Sequence, residues 1–148
     1  MDGSPAGLAD HTQTRLDLIA RHGPTLNAAI DAVQTRKAWS PFKDSPSTKI
    51  HGPDKPVQGK AAFEARLNTR FTLDQPGQIG QAGEEVSPFT GEALNILYPV
   101  ADPQVLVAAA VTAMDDWRQA DPKLRLALCL EMATRLYDRN FEMAHAIM

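Results

Sequence analysis

The sequence predicts a mainly α-helical fold with one small β-hairpin. Apolar residues recur at helical spacing over Leu106–Trp117 and over Leu124–Tyr137. The dipeptide Asp-Pro precedes both stretches and is typical of a helix start, with Asp as the N-cap and Pro at the first helical position. Val86 and the run Ala93–Tyr98 flank a turn-like segment, which is typical of a hairpin. We expect no doubly wound parallel sheet.

Residues 1–40 are predicted to form a helical hairpin extension. A first helix covers Thr12–His22, and Gly23-Pro24 breaks it, because Gly suits a helix C-terminus and Pro fits the first turn of the next helix. The second helix carries apolar side chains on one side, namely Leu26, Ala29, Ile30 and Val33.

Residues 41–85 are interpreted as a Pro- and Gly-rich crossover with one short helix. No apolar period survives over 41–59, so this part is predicted to be a long loop. A short helix near 60–68 places Phe63 and Leu67 one turn apart. A second irregular stretch follows, marked by Pro76, Gly77, Gly80 and Gly83.

Residues 86–148 hold the most regular pattern. The turn Ser87–Gly91 lies between the two predicted strands, and Leu94, Ile96 and Tyr98 are expected to share one face. Two helices follow, and the second is apolar over so wide an arc, 124–137, that we expect it to contact neighbours on two sides. The helical spacing continues to Met148 without a capping residue, so we expect the chain to be truncated at 148, inside an element.

Composition bounds the functional class. The chain has 148 residues, 43% apolar and 22% charged, with a net charge of −3, which is typical of a globular protein. Its pI of about 5.7 and scattered basic residues disfavour nucleic acid as a partner. No apolar run reaches the ~20 residues of a membrane span. The single Cys129 cannot form an internal disulfide, which favours a cytoplasmic protein.

The motifs that could carry chemistry do not meet its requirements. Gly77, Gly80 and Gly83 lack the preceding apolar strand and following helix of a phosphate loop, and we interpret them as a linker. Gly59-Lys60 resembles the end of a P-loop but lacks the earlier Gly and the following Ser or Thr. Cys129 lies between two leucines, which predicts a buried structural thiol.

The remaining polar candidates are also interpreted as structural. The histidines at 11, 22, 51 and 145 form no metal-ligand pair at helical spacing. Asp115-Asp116 is interpreted as a solvated helix face. We therefore predict no catalytic, cofactor-binding or metal-binding residue in this chain.

The stretch from Ser87 to the C-terminus resembles the N-terminal segment of the aldehyde dehydrogenase superfamily. Ser87–Glu92 resembles the family turn N-P-x-T-G-E, with Ser in place of Asn. The order and spacing of further family features match at Asp102, Val105, Ala109, Ala110, Ala113, Trp117, Pro122, Arg125 and Phe141–Ala144.

The earlier part resembles the PaaN-type phenylacetic acid degradation proteins, which have an extended N-terminus. The matching stretches are Arg36–Phe42, Gly59–Glu64 and Phe71–Gly77. The resemblance implies the N-terminal portion of an aldehyde-dehydrogenase-like α/β fold from aromatic catabolism. It also implies an NAD(P)-dependent oxidoreductase whose nucleotide-binding domain, catalytic Cys and general-base Glu all lie downstream of this region, so the chain is expected to be inactive without them.

Two functional hypotheses remain open. In the first, the chain is a fragment whose partner is the remainder of an aldehyde-dehydrogenase-like chain, with a possible homo-oligomer. In the alternative, it is a freestanding helical interaction module that binds a partner through the apolar face of 124–137.

Overall fold

The computed structural model describes residues 5–148, and the side chains from Thr12 onward. The described elements are the helices α1 (Pro5–Thr35), α2 (Thr48–His51), α3 (Asp54–Glu64), α4 (Pro103–Gln119), α5 (Pro122–Asp138) and α6 (Asn140–Ile147), and the strands β1 (Gln78–Ala82) and β2 (Tyr98–Ala101). The predicted mainly helical fold with a small antiparallel β element is confirmed.

Helix α1 corrects the predicted helical hairpin. A single helix runs through Pro24, so the expected break at Gly23-Pro24 is wrong. Proline lacks one N–H donor, but its fixed φ of about −65° is itself helical. Several turns of helix on either side of Pro24 therefore outweigh the one missing hydrogen bond.

The predicted loop over 41–59 is also corrected, because it contains α2 and most of α3. Ser47 caps α2 by accepting a hydrogen bond from the N–H of Lys49. Pro56 lies in the first turn of α3, where the backbone N–H would lack an intrahelical acceptor in any case. The short helix predicted near 60–68 therefore begins six residues earlier and ends at Glu64.

The two strands pair in an antiparallel sheet, with Gln78 opposite Ala101 and Ala82 opposite Tyr98. The strands lie farther from the turn than predicted, and β1 occupies the stretch interpreted as a linker. The turn itself is present: Val86 and Ala93 form an isolated antiparallel bridge around Ser87–Gly91.

The alternation predicted over 94–98 is confirmed. Ile96 is buried, Leu94 and Tyr98 are half-buried, and the residues between them are exposed. This segment is tied to 68–71 by backbone bonds, including the N–H of Phe71 to the carbonyl of Leu97 at 2.8 Å. The alternation therefore arises without a regular strand before Tyr98.

Both Asp-Pro helix starts are confirmed. The Asp102 carboxylate accepts a hydrogen bond from the N–H of Gln104 at 2.8 Å, and that of Asp121 accepts one from Lys123 at 2.6 Å. Each proline occupies the first position of its helix, where it removes no intrahelical bond.

The described residues form two compact units, which we treat separately. Unit 1 comprises the residues up to Ser45 together with Gln119–Tyr137, and so contains α1 and nearly all of α5. Unit 2 comprises Pro46–Arg118 and Asp138–Met148. The division of the chain into segments 1–40, 41–85 and 86–148 stays a prediction.

Candidate functional site

Cys129 is exposed on helix α5, so the predicted burial of this thiol is wrong. Only part of the apolar face of α5 is buried. Leu124 and Ala127 are buried, whereas Leu128, which adjoins the cysteine, is 41% exposed. A wide apolar arc in sequence indicates which residues could be buried, but it does not decide which of them are.

The glycine series does not form a nucleotide site. Gly80 lies within strand β1, and the backbone of Gly83 packs so closely on the carbonyl of Ile96 that no side chain fits there. A phosphate loop requires free backbone N–H groups at the start of a helix. Gly80 and Gly83 therefore lack the helix start that a phosphate loop requires.

The described histidines take separate packing roles. His22 is buried in unit 1 at 5% exposure. In unit 2, the ring of His51 packs edge-on against Phe141 at 5.3 Å, and His145 lines an open groove. The side chain of His11 lies outside the described part. No group of three or more metal-ligating side chains occurs among the described residues.

A polar cluster centred on Glu131 joins α1 and α5 within unit 1. His22 Nε2 lies 2.8 Å from Oε2 of Glu131, and Arg21 lies 3.2 Å from the same oxygen. Arg135, one turn along α5, donates to Oε1 at 2.9 Å. A carboxylate only accepts hydrogen bonds, so the proton of the His22–Glu131 bond is carried by His22.

This cluster holds the pKa of the Glu131 carboxyl far below its usual range. The hydrogen bond from His22 is the largest cause, followed by that from Arg135, and Arg21 adds a smaller contribution. Burial opposes them, but the pKa falls from 4.5 to about 2. Sequence reasoning missed this pairing, since His22 and Glu131 are 109 positions apart and no local pattern links them.

A second charged cluster lies in unit 2, around Glu142 of α6. Arg139 donates to both carboxylate oxygens at 2.8 Å, and Arg66 lies 3.5 Å from Oε1. The hydrogen bond from Arg139 is the main cause that lowers the pKa of Glu142. Two parallel hydrogen bonds of this kind fix the orientation of the Glu142 carboxylate relative to the Arg139 guanidinium. Its position beside the α3–α6 contact indicates a structural role.

The alternative docking face on α5 is partly exposed. Leu126, Met132 and Leu136 are each more than half exposed. Leu126 also lines an apolar groove of about 630 Å³ in unit 1, whose other apolar walls come from α1: Ile19, Leu26, Ala29, Ile30 and Val33.

Helix α4 presents a further apolar surface. None of its residues is buried, and Val107, Val111 and Trp117 are 62%, 60% and 46% exposed. The predicted stripe through Leu106 and Trp117 therefore exists as a pattern, but the described chain does not cover it. Asp115 pairs with Arg118 at 3.1 Å on the solvent side, as expected for a solvated face.

No helix in the described part of the chain is long and apolar enough to cross a membrane. No protein-family model matches the chain, and no curated protein matches it.

Among solved structures, the chain is similar to an NAD-dependent aldehyde dehydrogenase from Burkholderia multivorans. The two are 40% identical, with a TM-score of 0.72 over 88% of this chain. The matched region spans only 23% of that protein, so the chain corresponds to a fraction of its length. This similarity supports the aldehyde dehydrogenase superfamily, and the fold matches a fragment of an aldehyde-dehydrogenase-like fold.

Proposed function

We propose that this chain is the N-terminal portion of an aldehyde-dehydrogenase-like oxidoreductase of phenylacetate degradation, and that it is inactive without the remainder of that protein. The observation that carries the proposal is the 40% identity to an NAD-dependent aldehyde dehydrogenase, over 88% of this chain and 23% of the relative. The aromatic substrate class is supported by the resemblance of 36–77 to PaaN-type proteins.

In this proposal the chain supplies packing surface and helices, and the downstream part supplies the chemistry. The family oxidises an aldehyde with a cysteine thiolate, NAD(P)+ and a glutamate base, and in this proposal the groups that carry this chemistry all belong to the downstream part. Cys129 matches a helix of the N-terminal segment and is not the family nucleophile. The exposed apolar faces of α4 and α5 supply the kind of surface that a larger body would cover.

The coding region beyond Met148 tests the proposal at the level of sequence. We expect an in-frame continuation with a nucleotide-binding segment, a catalytic Cys and a Glu. A stop codon directly after Met148, with no such segment in frame, would count against it.

The substrate class needs a separate test on the extended protein. We expect NAD(P)+ reduction with a semialdehyde formed after ring opening of a CoA-linked phenylacetate derivative, and weaker activity with short aliphatic aldehydes. Equal activity on both classes would remove the phenylacetate assignment and leave the oxidoreductase assignment intact. A cytoplasmic location and a possible homo-oligomer belong to the same proposal.

The exposure of Leu126, Met132 and Leu136 is also what the alternative, a freestanding interaction module, predicts. A module of this kind should melt in one cooperative transition as a monomer or a defined oligomer. A fragment should aggregate or bind a hydrophobic dye. Scanning calorimetry and light scattering of the 148-residue chain separate the two.

A further inference from the structure

We propose that the carboxylate of Glu131 is an acid-labile latch that holds helix α1 in one register on helix α5. The inference rests on the geometry of unit 1 and is independent of the proposed enzymatic function. Its failure would therefore leave that function untouched.

Few of the described apolar side chains of unit 1 are fully buried. Among the described apolar side chains of this unit, only Leu124 and Ala127 are buried, and both belong to α5. On α1, Leu16, Ile30 and Val33 are 55%, 54% and 79% exposed. Apolar contacts of this kind are non-directional and permit sliding along the helix axis.

The polar cluster, in contrast, is directional and ordered. The His22 side chain is 6% exposed and the Glu131 side chain 16%, and their 2.8 Å bond links the two helices at one point. Arg21 adds a second bond from α1 to the same carboxylate. Partly buried polar pairs of this kind are best attested as devices that fix register.

Acid sensitivity follows from the charges that face Glu131. These are the guanidinium groups of Arg21 from α1 and Arg135 from α5, and the ring of His22 from α1 adds a hydrogen bond. While Glu131 is ionised, it neutralises part of this positive cluster and accepts all of its hydrogen bonds. When it is protonated, cationic groups of both helices surround a neutral carboxyl and repel one another. The low pKa of Glu131, about 2, agrees with this arrangement.

Amide hydrogen exchange tests the latch in the 148-residue chain, or in its in-frame extension if the shorter chain aggregates, and Glu142→Gln serves as the matched control. Glu142 is also a carboxylate held by arginines, namely Arg66 and Arg139, and it belongs to unit 2, whereas α1 belongs to unit 1. At neutral pH we expect Glu131→Gln to speed exchange of the α1 amides by about tenfold, the size expected for losing charged hydrogen bonds. Glu142→Gln should leave α1 unchanged.

The unsubstituted chain gives a second readout. We divide the exchange rate of each α1 amide by the rate of an unprotected amide at the same pH. This ratio should rise as the pH falls below 4.5, and the rise should be absent in Glu131→Gln. Unchanged α1 protection in Glu131→Gln, or the same pH response in both proteins, would overturn the proposal. The proposal would also be overturned if Glu131→Gln and His22→Gln both lowered amide protection throughout the chain, because the proposed contact should affect α1 locally.

Discussion

At the scale of single residues, Gly59 shows how one missing side chain sets a helix contact in unit 2. A Cβ at this position would lie 2.7 Å from the backbone carbon of Phe141 and 2.9 Å from the nitrogen of Glu142. These are backbone atoms, which cannot rotate away. The close approach of α3 to α6 therefore depends on glycine.

Gly59→Ala should destabilise the chain, although alanine is the better helix former. Alanine gains about 1 kcal/mol in a helix interior. The clash with α6 costs more, and we expect a net loss of about 1–3 kcal/mol, typical of overpacking. Urea denaturation measures the change.

Gly23→Ala is the control for this prediction. Gly23 is also helical, but apart from its chain neighbours and the backbone of its own helix, an added Cβ would meet no atom within 4 Å. Because the ring of Pro24 disfavours the helical conformation of a preceding alanine, this offsets the usual gain, and Gly23→Ala should change stability by less than about 1 kcal/mol. If both substitutions stabilise, the close α3–α6 packing is wrong.

If the proposed function holds, Cys129 supports a prediction for the extended protein. Because it lies on α5 and is exposed, Cys129→Ser should leave the turnover number of the aldehyde oxidation within about twofold, as is usual for surface substitutions. Steady-state kinetics measures this. Removal of a catalytic nucleophile lowers the turnover number by about 10³-fold or more, and a loss of that size would identify Cys129 as catalytic.

At the scale of elements, the helix starts depend on two aspartates. The Asp121 carboxylate satisfies a backbone N–H at the first turn of α5 that has no intrahelical acceptor. Asp121→Ala should therefore lower the free energy of unfolding by about 1 kcal/mol. Thermal denaturation followed by circular dichroism measures it.

Asp116→Ala provides the comparison, because Asp116 lies on the exposed part of α4 and does not cap a helix. It should change stability by less than about 0.5 kcal/mol. Equal effects of the two substitutions would refute the capping role.

The same elements show what a sequence can predict. Asp102-Pro103 and Asp121-Pro122 were predictable because capping is local chemistry within one turn. Pro24 and Pro56 misled the prediction, since each is compatible with a helix whose neighbouring turns are stable. Strand β1 contains Gly80 and two glutamines, so pairing with β2, and not its own apolar pattern, defines it.

In the candidate site, too, local features were predictable and features that depend on tertiary contacts were not. The apolar character of 124–137 was readable in the sequence, but the burial of Ala127 and the exposure of Cys129 depend on which helices approach α5. The His22–Glu131 pair joins residues 109 positions apart, and only the tertiary structure brings them together.

At the scale of the whole molecule, two carboxylates couple stability to pH. The pKa values of Glu131 and Glu142 are lower in the folded chain than the ordinary 4.5, so the unfolded chain binds more protons in acid. Their stabilisation is fully present above pH 4.5 and is lost in acid, and the contribution of Glu131 is lost as the pH falls toward 2.

We therefore expect the urea midpoint to fall steadily from about pH 5 to about pH 3. The double variant Glu131→Gln with Glu142→Gln should start lower and show a flatter profile. A midpoint that is independent of pH in the original chain would contradict both assignments.

The proposal that concerns the whole molecule is that this chain is one part of an aldehyde-dehydrogenase-like enzyme and that the remainder of the protein supplies the catalytic groups. The most direct test is aldehyde-dependent NAD(P)+ reduction by the 148-residue chain and by the same chain with its in-frame continuation. We predict activity for the extended protein and none for the 148-residue chain. Turnover by the 148-residue chain without the continuation would contradict the account.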